Sequence, residues 1–138
     1  MLPDNFRLQF KNETGVTIDA NKITATYRGK YFNSSGKLVF ESESSNFANQ
    51  TGTVANAAFH NSNVVDNGAK TDPLVEADLF IVVDLAANTT TPNGDVSVYL
   101  QRATADSPAW GTDGIGEVVA VLNFPNSKVL RQTGVTVR

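Results

Sequence analysis

Apolar and polar residues alternate through Phe6-Arg7-Leu8-Gln9-Phe10-Lys11, and the same period returns at Ile23-Thr24-Ala25-Thr26-Tyr27-Arg28 and at Val96-Ser97-Val98-Tyr99-Leu100-Gln101. A period of two puts every second side chain on one face, as in a strand with one wall in a core and the other outside it. Turn-forming clusters separate such runs: Asn12-Glu13-Thr14-Gly15, Asn33-Ser34-Ser35-Gly36, Thr91-Pro92-Asn93-Gly94 and Pro125-Asn126-Ser127-Lys128. They recur too often for long helices, and 16 valines among 138 residues favour strands further. The pattern predicts an all-β chain with an antiparallel β-sandwich of jelly-roll or immunoglobulin-like kind and little or no helix. At 41% hydrophobic residues the chain can bury one core, so residues 1–138 are expected to form a single domain.

Particular strands follow from the same reasoning. Residues 27–41 read as a hairpin turning at Asn33-Ser34-Ser35-Gly36. Leu79 to Leu85 is apolar on both faces, the mark of a central strand, and is expected to pair across Thr91-Pro92-Asn93-Gly94 with residues 95–101 as a second hairpin. Glu117 to Phe124 reads as another buried strand, and residues 129–138 as one strand interrupted by a bulge at Gly134. From about 42 to 72, Ser, Asn, Thr, Ala and Gly dominate, which predicts a loop-rich tract anchored by Phe47, Val54, Phe59, Val64 and Val65. A loop this long in a small domain usually serves a purpose, so these five residues are the expected partner-contact positions.

Charge and composition narrow the chemistry. A net charge of −3 gives no basic footprint for nucleic acid or an anionic membrane, so neither partner is expected. Met1-Leu2-Pro3-Asp4-Asn5-Phe6-Arg7 does not have the basic start and apolar run of a secretion signal, which points to synthesis in the cytoplasm. Cysteine is absent, and the single histidine, His60, sits in the loop-rich tract, so a zinc site or a thiol nucleophile has no residues to draw on within one chain. Asp106, Asp113 and Glu117 form the best oxygen cluster, but their spacing is not that of a calcium loop. Gly111-Thr112-Asp113-Gly114-Ile115-Gly116 does not have the spacing of a phosphate-binding loop. The expectation is a chain without catalytic residues, metal or cofactor. Tyr27, Tyr31, Tyr99 and Trp110 are the aromatics that would suit stacking on a sugar, with Tyr99 and Trp110 the chosen pair.

The stretch from Val96-Ser97-Val98-Tyr99-Leu100-Gln101 to Asp106, continuing through Trp110, Asp113-Gly114-Ile115-Gly116 and Val118 to Asn123-Phe124, resembles small virion proteins of tailed bacteriophages. In those, a strand, an Asp-and-Trp loop, an Asp-Gly-x-Gly turn and a further strand close a β-sandwich. Asn5-Phe6-Arg7-Leu8-Gln9-Phe10-Lys11-Asn12 is similar in style to their amino-terminal strands. The resemblance implies a structural virion component made in the host cytoplasm, decorating or cementing the capsid or forming part of the tail. Its partners would be other virion proteins and further copies of itself. The alternative expectation is a carbohydrate-binding β-sandwich for host attachment, using Tyr99 and Trp110.

Overall fold

The computed structural model describes residues 2–103, 110 and 113–138. These form β1 (Asn5–Glu13), β2 (Ile18–Asp19), a 3-10 turn (Ala20–Lys22), β3 (Ile23–Phe32), β4 (Leu38–Phe40), β5 (Thr53–Val54), β6 (Phe59–Asn61), β7 (Val65–Asp66), β8 (Glu76–Asp84), β9 (Gly94–Ala103), β10 (Glu117–Phe124) and β11 (Leu130–Val137). One sheet runs β10-β9-β1-β6 with β7 also on β1, a second runs β11-β8-β3-β4, and β2 pairs with β5. All the pairings are antiparallel, and the two large sheets pack as a sandwich.

The alternating residues become the core. Phe6, Leu8 and Phe10 of β1 lie beside Val96, Val98 and Leu100 of β9, and the second sheet contributes Ile23, Ala25, Leu79, Ile81 and Val83. Phe6 meets Tyr27 edge-on at 6.1 Å, and Tyr27 meets Phe47 at 5.5 Å, an arrangement that suits the ring quadrupoles. The 27–41 hairpin is present, with Tyr31 opposite Val39 and Asn33 receiving the turn amides of Ser35 and Lys37 on its side-chain oxygen.

Three expectations need correction. Residues 79–85 and 95–101 do not pair: β8 lies between β3 and β11, whereas β9 lies between β1 and β10 in the other sheet. The segment between them crosses the sandwich, and Gly94 is there for close approach, because a Cβ on it would collide with the carbonyl oxygen of Glu13. Second, β10 is an edge strand whose one ladder neighbour among the described residues is β9, and Val118 and Val121, on the outer wall opposite Tyr99 and Ser97, are 53% and 56% exposed. Third, β11 keeps an unbroken register with β8 from Leu130 opposite Asp84 to Val137 opposite Ala77, so Gly134 is no bulge. The register shift is in β10, between Val118 and Ala120.

The 42–72 tract holds β5, β6 and β7 and closes one side of the sandwich. Its Ser and Asn side chains replace backbone pairing: Asn46 accepts the amide of Ala25, Ser44 that of Tyr27, and Ser62 that of Leu8. Residues that bond to the backbone through their own side chains compete with regular ladders, which is why this part of the sequence did not read as strands.

Candidate functional site

The polar positions of β1 and β9 build a platform on the outer wall of the first sheet. Arg7 stands opposite Gln101, and Gln9 opposite Tyr99. Gln9 is fully buried although it faces away from the core, because residues 113–114 lie across it. Its amide nitrogen donates to Asn61 Oδ1 and Asp113 Oδ1, both at 2.8 Å, and its oxygen accepts the Gly114 amide at 2.8 Å. Gln101 continues the network, accepting from Arg7 Nε at 2.8 Å and donating to the Ile115 carbonyl at 3.1 Å. Among the described residues no buried side-chain polar atom is left unpaired. Residues 113–115 are thus a strap tied down by two buried amides.

Trp110 leans on this platform, half-buried, with the Arg7 guanidinium 4.6 Å from the ring centroid. Burial draws the Arg7 pKa below its ordinary value, and the charge of Asp113 opposes that fall. A shallow cavity of about 260 Å³ lies beside Trp110, between Gln101, Arg102, Ile115 and Glu117. Tyr99 is half-buried on the same wall, opposite Gln9 and Val118. The ring contact of Trp110 described here is therefore with Arg7, a cation, and one indole face is occupied by it.

Of the oxygen cluster, Asp113 is engaged by Gln9 and Glu117 by Arg102 at 3.2 Å, while Asp106 lies outside the described residues. Among the described residues no group of three or more His, Asp or Glu side chains is placed to hold a metal ion. On β8, Glu76 and Asp78 share Lys30, at 3.5 and 3.1 Å. A hydrogen bond from Thr136 and the contact with Lys30 hold the Asp78 carboxyl below its ordinary value. His60 packs beside Phe10 and sets Nε2 against the carbonyls of Ala48 and Asn49, at 3.0 and 2.6 Å, a structural position in the loop tract.

The five expected partner-contact residues separate. Phe47, Val54 and Val65 are 7%, 2% and 6% exposed and belong to this chain's own core, so their side chains are not a contact surface. These three apolar residues anchor the tract's loops to the sandwich. Phe59 is half-buried with Lys11 above its ring, and Val64 is exposed.

The apolar surface lies elsewhere, on the outer wall of β11-β8-β3-β4. Phe32, Leu38, Phe40, Phe80 and Leu130 are all exposed on it. Their register places them on one side: Phe32 opposite Leu38, Phe40 opposite Lys30, Phe80 between Thr26 and Gly134. Arg28 and Lys30 sit over Phe40 at 5.4 and 5.6 Å. Grooves of about 370 and 240 Å³ flank Phe80 above Gly134. The signal was in the sequence as Phe80 and Val82, the second apolar face of β8; in a sandwich without covering helices, a second face has nothing to bury it. No protein-family model, curated protein or solved structure gives a significant match to this chain.

Proposed function

We propose that this chain is a structural assembly subunit, of the virion kind its sequence resembles, which acts by covering or joining other subunits of a capsid or tail. The observation that carries this reading is the outer wall of β11-β8-β3-β4, where five large apolar side chains are exposed. Protein contact surfaces mix large apolar side chains with charged ones, as on this wall where Arg28, Lys30, Glu76 and Asp78 stand among them, and a broad sheet wall suits a broad partner better than a small ligand. Contacts that are weak one at a time become long-lived when symmetry repeats them.

The test is sedimentation of native lysate in moderate salt, following this chain by mass spectrometry. Travel with large particles at fixed stoichiometry supports the reading; a light peak alone refutes it. A Trp110→Ala chain tested on glycan arrays and for particle association separates the carbohydrate alternative. Particle association kept while glycan binding is lost would assign Trp110 to attachment, whereas glycan binding without particle association would replace the assembly reading.

A further inference from the structure

Sheet edges are where strands recruit strands, and the edges of this molecule are not equivalent. β4 is three residues long, and beyond it Ser44 and Asn46 occupy amides of β3 with their side chains. β10 is broken by its bulge. β6 and β7 are three and two residues long. β11 is the longest unbroken edge: it is eight residues in continuous register with β8, its one ladder partner among the described residues, and β10 touches it at Arg131, whose Nε donates to the Asn123 carbonyl at 3.0 Å. It contains no proline, lysine or acidic residue.

We infer that β11 is the edge at which two copies of this chain pair, antiparallel about a two-fold axis at Gly134, extending β11-β8-β3-β4 into one continuous sheet. The inference deepens the assembly reading by naming a partner. An axis perpendicular to the sheet keeps both outer walls on one side, so outward residues must face outward residues. Centring on Gly134 satisfies this and pairs β11 with itself from Arg131 to Val137. Gly134 then faces Gly134, Gln132 faces Thr136, and Leu130 faces Arg138. On the inner side Thr133 faces Val135 and Arg131 faces Val137. Arg131 and Arg138 are the charged residues of this stretch, and neither meets its own copy, so the strand complements itself without like-charge conflict.

Gly134 supports this placement. Its backbone is not in the left-handed region, and a Cβ there would meet Leu79 O at 3.7 Å and Phe80 Cδ1 at 3.8 Å, which is ordinary contact. The chain's own packing therefore does not require glycine, and glycine weakens a strand; a glycine inside a regular strand often marks the close approach of another backbone. At the seam, the two glycines leave an open floor between the Phe80 rings of the two copies.

The same glycine provides the test, because side chains are sterically tolerated at 134 and would meet at the axis. Sedimentation equilibrium of the intact chain should show concentration-dependent doubling of the 14.8 kDa mass. Gly134→Lys and Gly134→Glu should each raise the dissociation constant about two- to fivefold, and an equimolar mixture of the two should restore pairing. A wild-type chain that remains monomeric at its highest soluble concentration, or variants that dimerise unchanged, would overturn the inference. Should a variant not fold by circular dichroism, amide exchange on the wild-type chain decides: protection of β11 must rise with concentration while that of β10 stays constant, and the absence of that rise refutes the pairing. A chain that is monomeric yet travels with particles would remove this edge pairing and leave the assembly reading standing.

Discussion

Replacing Gln9 by Leu tests whether the strap is held by one buried amide. The substitution roughly keeps volume but removes hydrogen bonds to Asn61, Asp113 and the Gly114 amide, each 2.8 Å long. Asp113 is exposed and rehydrates, and Gln101 keeps Arg7 and Ile115 as partners, so Asn61 and the Gly114 amide are the groups left wanting. A buried polar group without a partner costs about 1–3 kcal/mol, while lifting the strap to hydrate both forfeits a net 0.5–1.5 kcal/mol per bond, roughly. Lifting the strap is the cheaper course, and the three bonds it forfeits together give a loss of about 2–3 kcal/mol. With an unfolding entropy of about 2.1 cal/mol/K per residue over 138 residues, the midpoint should fall by about 7–10 °C. Trp110 is the sole tryptophan and rests on the Arg7 side of this network, so its emission should shift to the red at temperatures where the sandwich is still folded. Differential scanning calorimetry and fluorescence measure the two effects. A Gln9→Leu chain within about 0.5 kcal/mol of wild type, with unchanged Trp110 emission, would refute the reasoning.

Other substitutions probe other parts of the fold. Asn12 donates to the carbonyls of Val16 and Val54 and accepts from Thr14 inside the core, so Asn12→Ala should cost about 2–4 kcal/mol in urea unfolding, against near neutrality for the exposed Asn63→Ala. Gly94→Ala drives a Cβ into the Glu13 carbonyl at φ 134° and should destabilise by about 2–4 kcal/mol, while Gly36→Ala, with φ 74° and open space around it, should cost about 1–2 kcal/mol; equal effects would discount the close approach to β1. Asp78 is held below its ordinary value of 3.8 chiefly by the Thr136 hydroxyl. Its contribution is complete above the unfolded-state value and is lost as pH falls through the lower folded one. Thr136→Val should therefore shrink the difference in unfolding free energy between pH 6 and pH 3, read from urea titrations, by less than about 1 kcal/mol for so accessible a pair.

Much of the fold was readable in residue order. The alternation at Phe6–Phe10 and Val96–Leu100, and the turn at Asn33–Gly36, specify strands and a hairpin through contacts a few residues long. The candidate site was less readable. Trp110 was singled out as an aromatic, but its partner Arg7 lies on a distant strand, and nothing local marks the two as neighbours. Gln9 read as an ordinary outward residue of a half-buried strand, since the residues that cover it arrive from positions 113 and 114. Phe47, Val54 and Val65 read as contact residues because the tract around them lacked periodicity, and it lacked periodicity because Ser and Asn side chains replaced the ladder there.

Periodicity and turn chemistry are local, so the residue order was enough to make this chain all-β, to choose Phe6, Leu8, Phe10, Val96 and Val98 for the core, and to rule out cysteine chemistry. Sheet membership is not local. Alternation marks a strand but not its neighbour, and β8, apolar on both faces, fits several partners; pairing it with β3 and β11 rather than with β9 depends on which partners bury the most surface at once. That arrangement leaves Phe80 in water on one wall, covers Gln9 on the other and exposes β11 at the rim, and these surfaces arise only when distant segments are packed together.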